Sequence, residues 1–137
     1  MKNQHLIQSR DSSDEGWVLY VDTSGDINFK IGDGTDTVTI DTGSNAVVDT
    51  WVHIAVTYAG SAGAIATYIN GSAGATGTAT NVGDMSSVAS ELRIGARSFT
   101  SPINGVNGQI DDVLLYSDVL TADEVDRIYK AGKRSHR

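Results

Sequence analysis

The sequence contains no cysteine, which removes disulfides, thiolate metal sites and cysteine nucleophiles from consideration. It has one proline, Pro102, against fifteen glycines, so its tight turns are made largely with glycine, as in a chain of many short strands. Glutamate is scarce: Glu15, Glu91 and Glu124 lie far apart. No apolar run approaches the length that crosses a membrane, so membrane insertion is not expected. The opening residues Met1–His5 lack the apolar core of a secretory leader. Any route outside the cell would then be lysis, a partner or loss of an earlier segment.

Cations are scarce as well. The chain carries 10 basic and 17 acidic residues, a net charge of −7. Four of the basic residues, Lys130, Lys133, Arg134 and Arg137, fall in the last eight positions, leaving six against all seventeen acids, a balance of −11. A body that acidic repels phosphate backbones, so nucleic acid is not an expected partner for it. With 137 residues, 39% of them apolar, the chain suffices for one domain with a real core. Residues 1–132 read as that domain and residues 133–137 as a basic tail.

Period-two alternation dominates the chain. The segments 16–22 and 26–31 flank Thr23-Ser24-Gly25 as a hairpin, with Ile27, Phe29 and Ile31 on one face and Asn28 and Lys30 on the other. Val38 and Ile40 continue the apolar face. Residues 51–58 form the strongest strand, with Val52, Ile54, Val56 and Tyr58 on one side and Trp51, His53, Ala55 and Thr57 on the other. Asn70-Gly71 between residues 64–69 and 72–80 fits a type I′ turn. This turn reading outweighs the Asn70-Gly71-Ser72 glycosylation pattern. A short strand over 91–95 and a long loop over 96–107 precede a last strand, 108–116, which is apolar on both faces beyond Asp112 and so is expected at the centre of a sheet. Thr121-Ala122-Asp123-Glu124 is a capping box, followed by the apolar stripe Val125, Ile128 and Tyr129, with Gly132 placed for a left-handed cap. These elements predict an all-β, two-sheet antiparallel jelly-roll sandwich with one short C-terminal helix.

Three segments, in order, resemble the laminin-G-like, concanavalin A-like lectin/glucanase family. They are Asp49-Thr50-Trp51-Val52-His53-Ile54-Ala55-Val56, then Tyr68-Ile69-Asn70-Gly71, then Leu92-Arg93-Ile94-Gly95 followed by Gly108-Gln109-Ile110-Asp111-Asp112-Val113 and Leu120-Thr121-Ala122-Asp123-Glu124-Val125. The resemblance covers about residues 16–132. Members of the family open with a further strand before the segment matching Leu6–Arg10, where here Met1 follows almost at once. The resemblance therefore implies either a trimmed domain with a weak edge or a sheet completed by a second copy or another chain, unless Leu6–Arg10 folds back to cover the last strand. It brings no catalysis: glycosidases of this fold hold carboxylates closely spaced on one strand, whereas the three glutamates here are scattered and Glu124 is taken by the capping box.

The resemblance also implies one structural calcium, with Asp111 and Asp112 as candidate ligands. The alternative is that one of the two carboxylates is buried and satisfied by backbone amides. Gly32-Asp33-Gly34-Thr35-Asp36-Thr37-Val38 matches a calcium-binding repeat, but a lone copy reads as a turn. His53 reads as a strand histidine bonded to neighbours, and Trp17 and Trp51 as core side chains. For ligand binding, the loop over 97–107 is the best location, with Arg97, Asn104 and Asn107 as hydrogen-bonding groups and Phe99 as an aromatic. The function expected is a non-catalytic recognition module, lectin-like or adhesive, for a glycan or a protein surface. The alternative is a structural or decoration subunit of a virus capsid or tail.

Overall fold

The computed structural model describes residues 2–60, 63–83, 85, 91–97 and 104–133. The strands are β1 (Gln4–Arg10), β2 (Glu15–Val21), β3 (Asp26–Asp33), β4 (Thr37–Asn45), β5 (Ile54–Tyr58), β6 (Ala64–Ile69), β7 (Ser72–Thr78) and β8 (Arg93–Ile94), and one helix, α1 (Ala122–Gly132), closes the order. They form two antiparallel sheets, one of order β4-β3-β2-β1-β8 and one of order β5-β6-β7. This is the sandwich that the alternation predicts.

Register turns the alternation into a core. Trp17, Ile31 and Val38 stand side by side across β2, β3 and β4, and Leu19, Phe29 and Ile40 form the next row. These rows meet Val56, Tyr58 and Ile65 of the other sheet, with Ala79, Val82 and Met85 filling the end. Burying such side chains contributes roughly 1.5–3 kcal/mol each. The sheets approach closely where β4 meets β7: a Cβ added at Gly77 would collide with Ile40 Cδ1.

The β6–β7 hairpin turns at Asn70 (φ 51°) and Gly71 (φ 78°), the positive angles of a type I′ turn. Gly71 has a second duty, since a Cβ there would lie 2.7 Å from Tyr129 Cδ1 of α1. The helix is eleven residues long, too short to be stable alone, and is held by docking. Val125 is fully buried, Tyr129 sits on Gly71, and the capping box is complete: Thr121 N–H donates to Glu124 Oε2 and Glu124 N–H to Thr121 Oγ1. At the other end the expected left-handed cap is corrected. Gly132 is helical, and Lys133, in right-handed conformation, donates its N–H to the Tyr129 carbonyl.

A larger correction concerns residues 108–116, which form no strand. A strand exists only with a ladder partner, and β1 instead pairs with β2 and β8. Nor does Leu6–Arg10 fold back over the segment. Asp112, at φ 50°, also breaks the extended run from within. Trp51, read as core, is 46% exposed, because β5 begins only at Ile54.

Asp33 fastens the turn between β3 and β4 to Gly83. Its carboxylate accepts the N–H groups of Thr35 and Asp36, each at 2.8 Å, and of Gly83 at 2.7 Å. The glycine-rich segment 32–38 is therefore a turn, and Asp33 ties it to the chain behind Val82. These bonds, Asp36 first and then Gly83 and Thr35, pull the carboxyl from 3.8 to about 2. Because the folded group titrates below the unfolded one, its stabilisation is full above the ordinary value and is lost as pH falls toward about 2. Acid unfolding of Asp33→Asn is expected to lack that part of the pH dependence, and an unchanged acid limb would contradict the assignment.

Candidate functional site

The face of the five-stranded sheet turned away from the core is polar, and a bulge in β1 decides its composition. A regular strand would send His5 and Gln8 to opposite faces. The register shift between His5 and Ile7 inserts one residue and brings both to the same side. Two rows result: Arg93, Gln8, Val18 and Lys30 stand abreast, beside His5, Tyr20 and Asn28. Above them lies a hollow of about 170 Å³ lined by Asn3, His5, Arg10, Val18, Tyr20, Lys30, Arg97 and Asn104.

The hollow is framed by a chain of hydrogen bonds from buried Gln8. Its Nε2 donates to the Arg97 carbonyl at 3.2 Å, an oxygen that also accepts from Arg93 Nη1 at 3.0 Å. Gln8 Oε1 is then left facing His5 Nδ1 at 2.6 Å and must accept, which fixes the imidazole proton on Nδ1. His5 Nε2 is thereby an acceptor, 3.4 Å from Asn104 Nδ2. The His5 backbone N–H donates to the Asn104 carbonyl at 2.9 Å, so the segment after the loop is fastened to β1 twice. The rings of His5 and Tyr20 lie 5.9 Å apart.

Charge is concentrated here against the balance of the whole chain. Arg10, Lys30 and Arg97 line the hollow, while among the described residues no carboxylate does. Asp14 at its margin pairs with Arg10 Nη2 and, at 3.0 Å, with Lys30 Nζ. Arg10 Nε is buried and has no hydrogen-bond acceptor. Among the described residues no acidic side chain pairs with the Arg97 guanidinium. Burial, and next the Arg97 charge, holds the Arg10 guanidinium below its ordinary value, and burial followed by Arg10 does the same to the Lys30 ammonium. Burial is also the main cause that lowers His5, opposed by its bond to Gln8 and reinforced by Arg97 and Arg10. The site thus holds like charges together with too few counter-charges, which an incoming anion relieves.

The chain matches the family model Laminin_G_3, of concanavalin A-like lectins and glucanases, over residues 1–126. It belongs to that superfamily. Among solved structures, the CBM40 of the Ruminococcus gnavus IT-sialidase, bound to alpha2,3 sialyllactose, superposes with a TM-score of 0.76 at 18% identity, over 93% of this chain and 74% of that one. The native heptameric SAP-like pentraxin from Limulus polyphemus gives 0.59 at 18%, over 93% and 63%. An S-layer domain-containing protein from Clostridium thermocellum gives 0.51 at 25%, again over 93% and 63%. No curated protein matches the chain. The likenesses establish a shared jelly-roll fold.

Of the residues expected from sequence to bind a ligand, Arg97 and Asn104 come together at the hollow. Asn107 stands beside it, its N–H donating to Gln4 Oε1 at 2.8 Å. Phe99 lies outside the described residues. Asp111 and Asp112 are both exposed rather than buried, and Asp111 Oδ1 accepts the Asp112 N–H at 2.8 Å. Calcium takes about six to eight oxygens. Among the described residues no group of three or more His, Asp or Glu gathers at this pair. His53 precedes β5, exchanges backbone bonds with Asn70 and packs against Tyr129 at 5.6 Å, but its buried Nδ1 has no partner.

Sequence reasoning missed His5, Arg10 and Tyr20 as site residues. A signal existed in the polar alternates of the first three strands, of which only Asn28 and Lys30 were read as a face. The His5 imidazole is expected to titrate below 6.5 by NMR, and lower still in Gln8→Leu, which removes the bond that favours its charged form. A rise in that variant would contradict the network.

Proposed function

We propose that this domain binds carbohydrate and that the sugar residue entering the hollow carries a carboxylate. The observation that carries the reading is a pair of guanidinium groups with capacity to spare, Arg10 at its buried Nε and Arg97 with no acidic partner among the described residues, around a hollow whose described lining holds no carboxylate. Arginine suits a carboxylate because its planar fork meets both oxygens. Lys30 adds charge, Tyr20 a ring for the apolar face of a sugar, and His5 and Asn104 polar rims. About 170 Å³ accommodates a single sugar ring, with the remainder of a glycan directed to solvent. The carbohydrate-binding neighbour seen with alpha2,3 sialyllactose supports a glycan as ligand class.

The structural-subunit reading has one observation in its favour, the exposed apolar strip between Ile110 and Val119.

Titration with 3′-sialyllactose and with lactose tests the proposal. Binding is expected for the sialylated sugar and not for lactose. A charge-assisted hydrogen bond contributes about 1.5–3 kcal/mol, so Arg97→Gln is expected to weaken binding by roughly tenfold to a hundredfold. Arg97 is exposed, so the substitution leaves the fold intact. Equal affinity for lactose, or no effect of Arg97→Gln, would contradict the reading.

A further inference from the structure

We infer that the strip from Ile110 to Val119 is a docking surface for a second copy of this chain, which pairs with it as an antiparallel strand. Ile110, Val113, Leu114, Leu115, Tyr116 and Val119 are between 36% and 62% exposed. Single exposed apolar side chains are ordinary, but six within ten residues form a patch of the kind that marks an interface. The backbone is as unsatisfied as the side chains. Asp112 aside, no residue from Gly108 to Leu120 makes a backbone–backbone hydrogen bond with another of the described residues.

Those two needs together select the occupant. A helix or a flat apolar face would cover the side chains and strip water from the N–H and C=O groups, at about 1–3 kcal/mol for each group left unpaired. A β-strand satisfies both.

The strip itself supplies a matching strand. Laid antiparallel on its copy about a twofold axis, the tetrad Val113-Leu114-Leu115-Tyr116 places Leu114 opposite Leu114 of the copy and Val113 opposite Leu115, apolar on apolar. Asp112, at φ 50°, turns the chain out of the extended conformation just before this tetrad. The two copies therefore need not bring their Asp112 carboxylates face to face. The surface continues beyond the tetrad. Ile110 Cδ1 lies 3.9 Å from the Cβ position of Gly95, next to β8, the short edge strand of the five-stranded sheet, where Leu92 and Ile94 are 45% and 46% exposed. A twofold interface would join these side chains to the paired strips. Each copy carries −7, so long-range repulsion opposes association until salt screens it, with a Debye length of about 8 Å at physiological ionic strength.

Sedimentation velocity on the intact protein, from about micromolar to about millimolar concentration, tests the inference. A monomer–dimer equilibrium that tightens with added salt is expected. The double substitution Leu114→Lys, Leu115→Lys is expected to abolish it with the thermal unfolding curve unchanged. Val48→Lys, at an equally apolar position 83% exposed and outside the strip, is expected to leave it intact. A monomer at every concentration, or a dimer that survives the double substitution, would overturn the inference.

Discussion

A β-strand presents alternate side chains to opposite faces, and in the five-stranded sheet this constraint separates stability from recognition. The rows Trp17–Ile31–Val38 and Leu19–Phe29–Ile40 go inward, so the residues between them have no choice but to face out. What they form there is decided by one irregularity. The extra residue in β1 moves His5 onto the side that already holds Gln8 and Arg10, and without it the hollow would lose its imidazole rim. The bulge therefore belongs to the site as much as any side chain that lines it.

Electrostatics gives the hollow a local character opposite to that of the molecule. With a net charge of −7, the protein weakly repels an approaching anion at long range. Within a few ångströms of Arg10, Lys30 and Arg97 the sign reverses, because among the described residues Asp14 is the sole carboxylate paired with them. Salt then acts twice on an anionic ligand, reducing the distant repulsion and also the close attraction, which dominates once the ligand is partly desolvated. Such a site favours discrimination over speed of capture. On the proposed function, such a hollow would select for charge placed at one point of the ligand rather than for anions in general.

Much of this was legible in the sequence. The β2–β3 hairpin, the apolar rows, the Asn70-Gly71 turn and the capping box at Thr121 are local patterns whose chemistry is written in neighbouring residues. Arg97 and Asn104, singled out together from a polar, glycine-bearing loop, do line one hollow. Three things were not legible. Whether residues 108–116 form a strand depends on a partner for the ladder, and apolar content says nothing of who supplies it. The face on which His5 lies depends on a bulge that no residue type announces. The end of α1 was misread because a glycine that permits a left-handed cap does not require one, and the Lys133 N–H met the Tyr129 carbonyl without it.

The central claim is that the outer face of the sheet recognises a carboxylate through arginine. The most direct measurement follows the arginine Nε–H resonances of the protein by NMR while 3′-sialyllactose is added. The account predicts that the Arg10 and Arg97 signals shift together and saturably, that those of Arg127 on the helix stay still, and that lactose moves none of them. Shifts that leave Arg10 and Arg97 unmoved, or that follow lactose equally well, would contradict it.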